Sequence, residues 1–170
     1  MRNSRATEEY TEFVTARASH LHRSACLLTG GDTHLAEDLV QEALGRLYVR
    51  WSRVARADNP AAYAQTVLHR TFLTHRRLRR SGERPTDTLP DLAAPRGVDS
   101  DTRLTLVDAL ARLPAKDRCV IVLRYWEDRS IQETADVMNT SSAAVRTRCV
   151  RALGRLRTLL GEELHEYAAV

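Results

Sequence analysis

Residues 130–157, with the sequence SIQETADVMNTSSAAVRTRCVRALGRLR, constrain the fold of this chain more than any other stretch. Ser130 followed by Glu133 is a capping box, which predicts the start of a helix. Asn139 lies where that helix would end, and Asn is the best substitute for Gly in a left-handed turn. Ser and Thr side chains at 140–142 then offer caps for a second helix. The stretch therefore predicts two helices joined by a tight turn.

The spacing across this turn is typical of a DNA-binding helix-turn-helix. The small Ala135 and the apolar Val145 return to a common packing face on the two predicted helices. Arginine can hold phosphates or pair bidentately with guanine. An ordinary amphipathic helix with a solvated basic face is the alternative that this stretch alone leaves open. The arginines of the second predicted helix are Arg146, Arg148, Arg151, Arg155 and Arg157.

The composition permits a packed core and is compatible with a polyanionic partner. Hydrophobic residues make up 43% of the chain, and the formal net charge is +4. The 28% of charged residues argue against a membrane protein, and no apolar run resembles a signal peptide or a bilayer span. The three cysteines form no CxxC pair, which indicates a reducing compartment. We therefore predict a cytoplasmic protein with no membrane partner.

No pattern in the sequence indicates an enzyme. There is no Gly-rich phosphate loop, and His20, His22 and Cys26 match no standard zinc spacing. Glu37 and Asp38 are adjacent on a predicted helix, so the two carboxylates do not face each other. We predict no catalytic residue, no metal and no cofactor. A stand-alone helix-turn-helix regulator, whose N-terminal helices bind an effector or partner, remains an open alternative from the residues alone.

The fold class that these patterns predict is all-α. Residues 116–126 have a dense apolar centre, and we predict a helix there because no segment nearby offers a strand partner. Residues 81–100 contain Pro85, Pro90 and Pro95, which predicts a flexible linker and two halves that move independently. Apolar residues recur at helical spacing in four further segments, which are residues 7–28, 32–53, 60–80 and 101–113.

Three stretches taken together resemble a known family. They are residues 36–51 (AEDLVQEALGRLYVRW), 59–80 (NPAAYAQTVLHRTFLTHRRLRR) and 113–157, which begins LPAKDRCVIVLRYW. The chain resembles, over nearly its whole length, the extracytoplasmic-function group of the sigma-70 family, the initiation factors of bacterial RNA polymerase. The resemblance implies two helical domains. A sigma2-like domain at 7–80 would dock on core polymerase and melt the −10 element, and a sigma4-like domain at 101–166 would bind the −35 element.

The resemblance also implies partners and residue roles. The partners are core RNA polymerase, through its β′ clamp helices and β flap, promoter DNA, and in many members an anti-sigma factor. The segment matching the clamp-docking element is Asp38, Leu39, Val40, Gln41 and Glu42. The positions matching the −10 element are Asp58, Asn59, Tyr63, Arg70, His75, Arg76 and Arg77. The positions matching the −35 reader are Ser142, Arg146, Thr147, Arg148, Val150 and Arg151, with Arg148 expected on a phosphate.

Arg70 departs from the family's pattern. An Asn usually stands there, seven residues after an aromatic that is here Tyr63. An arginine cannot reproduce the paired donor and acceptor that an Asn offers to a base edge. We therefore expect either an unusual −10 preference or a phosphate contact at Arg70.

Overall fold

The computed structural model describes residues 2–82 and 101–168, with side chains described for residues 4–82 and 106–161. The described residues are helical and contain no strand, which confirms the all-α prediction. Most of the predicted linker, residues 83–100, lies outside the described residues. The helices are α1 (Arg2–Thr29), α2 (Thr33–Val49), α3 (Trp51–Val54), α4 (Pro60–Gly82), α5 (Asp101–Arg112), α6 (Ala115–Ile121), α7 (Ile131–Met138) and α8 (Ser142–Ala168), with a π-helical turn at Val122–Trp126 after α6.

The turn between α1 and α2 depends on two glycines. Gly30 and Gly31 have φ of 67° and 90°, and their amides donate to carbonyls in the last turn of α1. A Cβ on Gly30 would lie 2.6 Å from the Cβ of Ala111 in α5. The glycine therefore permits both the turn and the close approach of α1 to α5. Asp32 then caps α2 by accepting from the Leu35 amide at 3.0 Å.

The predicted helix over residues 32–53 is interrupted at Arg50. Arg50 has φ −110° and ψ 15°, so the chain turns between α2 and the single turn α3. The turn directs Trp51 and Val54 into the core, where Trp51 packs against the rings of Tyr10 and Phe13.

The helix-turn-helix prediction is confirmed in its details. The Ser130 hydroxyl accepts from the Glu133 amide at 3.1 Å, and the Glu133 carboxylate accepts from the Ser130 amide at 2.8 Å. The hydrogen bond from the Ser130 backbone lowers the pKa of Glu133. Asn139 is left-handed with φ 52° and ψ 54°, and Ser141 caps α8 through the Ala144 amide. Ala135 and Val145 are both buried where α7 crosses α8.

The largest hydrophobic cluster joins the two halves of the chain. Leu28, Leu68 and Phe72 from α1 and α4 belong to the same cluster as Cys119 and Leu123 from the α6 region. The dense apolar centre of residues 120–123 has too many apolar faces for α5, α7 and α8 to cover, so α1 and α4 cover the remainder. In this structure the two halves are therefore packed against each other, and their independent movement stays a prediction. No helix within residues 2–82 and 101–168 is long and apolar enough to cross a membrane.

Candidate nucleic-acid interface

The predicted polymerase-docking segment on α2 divides into two faces. Asp38, Gln41 and Glu42 are exposed, and Glu42 forms an ion pair with Arg46 one turn later. Leu39 and Val40 are buried in the main hydrophobic cluster. They therefore hold α2 in place and do not present a surface to a partner. The part of the predicted set that another protein can contact is the acid and amide face.

A cleft of about 540 Å³ opens between α3 and the start of α4. Asp58 and Tyr63, two of the residues that the family resemblance implies for the −10 element, line it. Asn59 has a different task, because its side-chain oxygen accepts from the Ala62 amide at 3.0 Å and caps α4. Sequence reasoning missed the other lining residues, although two basic side chains so near Asp58 were a usable signal. These residues are Ser52, Arg53, Arg56 and Ala57.

The later basic residues of α4 do not form one surface. Arg77 is exposed, whereas His75 and Arg76 are half-buried. Arg76 lies close enough to Arg118 to add to the effect of burial, and together they lower the pKa of Arg118 to about 10. The guanidinium of Arg70 donates to backbone carbonyls at the end of α7. Of these four predicted −10 residues, Arg70 and Arg77 are exposed, but the Arg70 guanidinium is already hydrogen-bonded to α7.

One face of α8 is open to solvent beyond the turn. Arg146, Thr147, Val150 and Arg151 are exposed, and their spacing places them side by side on the helix surface. Val150 is 75% exposed, which is unusual for a valine on an amphipathic helix. Ser142 is half-buried and donates to Gln132 of α7 at 2.9 Å, so its side chain braces the turn.

Arg148 is turned to the interior of the domain. Its Nη1 lies 2.7 Å from Oδ1 of Asp117, and Nη1 of Arg155 lies 2.7 Å from Oδ2 of the same carboxylate. The side chain of Asp117 is 2% exposed. The two arginines therefore neutralise a buried acid on α6 and fasten α8 to it. A phosphate contact by Arg148 stays a prediction, and in this structure its guanidinium is already bound.

The histidines near Cys26 do not converge. His22 approaches the Cys26 thiol at 3.7 Å, whereas His20 lies against Glu127. Among the described residues, no group of three or more His, Cys, Asp or Glu side chains is placed to hold a metal ion. Burial raises the pKa of the Cys119 thiol to about 12 and lowers the pKa of His69. Both groups are packed inside the protein, away from the open face of α8 and the cleft.

Comparison with known proteins identifies both halves. The family description Sigma-70 region 2 matches residues 8–82, and Sigma-70, region 4 matches residues 103–156. The RNA polymerase sigma-E factor of Streptomyces avermitilis is 39% identical over 150 residues, which cover 88% of this chain and 83% of that protein. The ECF RNA polymerase sigma factor SigM of Mycobacterium tuberculosis is 33% identical over 145 residues, covering 83% and 71%.

A solved structure supports the fold. The sigma factor RpoE of Bartonella quintana, determined in complex with the anti-sigma factor NepR, matches with a TM-score of 0.74 and 22% identity. The match covers 91% of this chain and 98% of that chain. Because the N-terminal half matches region 2, a stand-alone helix-turn-helix regulator no longer accounts for the chain. The chain belongs to the extracytoplasmic-function group of the sigma-70 family and is an RNA polymerase sigma factor that acts in promoter recognition.

Proposed function

We propose that this sigma factor engages polymerase and promoter through three separate surfaces. The open face of α8, Arg146–Thr147–Val150–Arg151, carries the proposal, because recognition helices of this motif read the major groove through such residues. The arginines suit guanine or phosphate, and the exposed Val150 suits a thymine methyl group. Ser142 and Arg148 contribute to −35 recognition indirectly, because their contacts to α7 and α6 fix the position of α8.

The cleft before α4 is proposed as the site that takes an unstacked −10 base. Tyr63 offers a ring for stacking, which contributes about 1–3 kcal/mol per base in single-strand binding proteins. Arg53 and Arg56 at the cleft supply positive charge for the phosphates on either side of that base. Extrusion of a base into such a cleft is also the first step of strand separation.

The acid and amide face of α2 is proposed as the polymerase-docking surface. Asp38, Gln41 and Glu42 are exposed there without a large apolar neighbour on the same turn, so the partner surface is expected to be cationic and polar. The two buried residues of the segment, Leu39 and Val40, hold this face in place. We further propose that the chain has no catalytic residue of its own and acts in the cytoplasm, because the polymerase performs the chemistry there.

Run-off transcription tests the proposal directly. Purified bacterial core polymerase is given a promoter library randomised around −35 and −10, with and without this chain. We expect discrete start sites only when the chain is present, and selected bases at both elements. Core polymerase alone and the chain alone are the controls. Failure to bind core polymerase, together with tight binding of the isolated chain to duplex DNA, would refute it.

A further inference from the structure

We propose that Arg70 is a latch between the two halves of the chain and does not read the −10 bases. The inference rests on the proposed function in one respect: without its contacts to the other half, Arg70 would belong to the proposed −10 surface on α4.

The guanidinium of Arg70 caps α7. Its Nη2 donates to the Asp136 carbonyl at 3.0 Å, and its Nε donates to the Val137 carbonyl at 3.3 Å. Carbonyls in the last turn of a helix have no donor within the helix, and a positive charge there is also favoured by the helix dipole. Arg70 on α4 therefore satisfies the end of a helix that lies 66 residues further along the chain.

Arg129 makes the reciprocal contact from the other half. It precedes α7, and its Nη2 donates to the Ala62 carbonyl at 2.7 Å and to Gln65 Oε1 at 3.0 Å. Its side chain is 12% exposed. Positions 62, 65 and 70 fall on one side of α4. One arginine from each half thus binds the other, and α7 is held near both of its ends.

A buried carboxylate completes the interface beside these arginines. The side chain of Glu127 is 0% exposed and accepts from Ser24 at 2.6 Å and from His20 at 2.7 Å, both on α1. Trp126 donates to the Ser24 hydroxyl at 2.9 Å and stacks on the His20 ring. If the halves separated, Glu127 and Trp126 would lose these partners, whereas Ser24 would keep the His20 carbonyl at 3.0 Å and His20 would keep Gln65 at 3.3 Å.

The proposed functional surfaces are not equally available in the closed arrangement, in which the two halves pack against each other as in this structure. It engages the donors of Arg70, yet Asp38 and Gln41 on α2 and the open face of α8 are exposed. Core docking and −35 contact are therefore available to the closed chain. Use of the middle of α4 requires the halves to part, and Arg70 and Arg129 set how often they do so.

Cysteine labelling can measure the opening without polymerase or DNA. Cys119 is fully buried in the cluster that joins the two halves, so it reports their separation. Cys149 is buried between α7 and α8 within the C-terminal half and serves as an internal control. The intact chain is alkylated and then digested, and the rate of alkylation at each cysteine is measured from its peptide by mass spectrometry.

We expect Arg70→Gln to accelerate Cys119 alkylation about tenfold, because a hydrogen-bonded charge contributes roughly a factor of ten in an equilibrium of this kind. Cys149 should keep its wild-type rate. Arg129→Gln should behave in the same way, and Arg70→Lys should fall between Arg70→Gln and wild type. The matched control is Arg80→Gln, an exposed arginine on the same helix, for which we expect no acceleration.

Three results would overturn the latch. One is an unchanged Cys119 rate in both Arg70→Gln and Arg129→Gln. Another is equal acceleration at Cys119 and Cys149, because the whole fold would then have loosened. The last comes from run-off transcription on the randomised library, where a changed −10 base preference in Arg70→Gln would make Arg70 a base reader. Failure of the chain to support transcription would refute the proposed function and leave the labelling result intact.

Discussion

Helices α4 and α8 are both rich in arginine, and the sequence predicted a DNA surface on each, yet they use their arginines differently. On α8, Arg146 and Arg151 face solvent while Arg148 and Arg155 are bound to Asp117. On α4, Arg70 is exposed, yet its guanidinium binds the opposite half of the chain. An arginine on an amphipathic helix is therefore free to bind DNA only where no carboxylate or helix end of the same chain already holds it.

The comparison also separates arginines that bind within one domain from an arginine that binds between domains. The two arginines of α8 that bind Asp117 lie in the domain that presents the open face, so DNA binding there would not require them to be released. Arg70 on α4 binds across the two halves, so its contact would be lost if they part. In the latch proposal, only the second arrangement is tied to a conformational change.

The largest expected effect comes from removing the charge of Asp117, the buried acid on α6 that binds Arg148 and Arg155 of α8. Asp117→Asn leaves Arg148 and Arg155 without a countercharge and sets an amide group against one of them. We expect a loss of about 2 kcal/mol in the free energy of unfolding, because a broken buried pair costs about 3–5 kcal/mol and these arginines are partly exposed. Urea unfolding measures it, with the exposed Glu37→Gln as the control. An unchanged midpoint would show that the ion pairs do not hold α8.

A smaller and more selective effect is expected on the open face. Arg146→Ala should lower transcription from promoters with the preferred −35 base and affect other promoters much less. The expected loss of discrimination between the two kinds of promoter is about 1–3 kcal/mol. Competition between promoter variants in run-off transcription measures this. Arg157→Ala, an exposed arginine beyond the open face, is the matched control. An equal loss on every promoter would instead identify Arg146 as a phosphate contact.

The smallest effect is expected at Arg77, an exposed arginine of α4. Arg77→Ala removes one charge that faces solvent, so binding to all promoters should weaken alike and the salt dependence of binding should fall by about one counterion. Affinity of the polymerase complex for promoter DNA at several salt concentrations gives the slope. A change in base preference would contradict the assignment of Arg77 to a sequence-independent contact, and α4 would then read bases as α8 is proposed to do.

Local signals in the sequence were sufficient for most helix boundaries and for the helix-turn-helix. The capping box at Ser130, the left-handed Asn139 and the cap at Asp32 each act within one turn of the chain, so neighbouring residues specify them. The π-helical turn and the interruption at Arg50 were not predicted, because neither segment contains a Gly or Pro that would mark a break in the helix.

The sequence by itself determined an all-helical chain, the two-helix DNA-binding unit and the membership of the sigma-70 family, because periodicity and short motifs encode them. The tertiary structure decided which charged side chains are available. Asp117 meets Arg148 across 31 residues, and Arg70 meets the end of α7 across 66. A charge is satisfied by whatever acceptor lies within about 3 Å of it. That acceptor is chosen by how the helices pack, which no single segment of the sequence specifies.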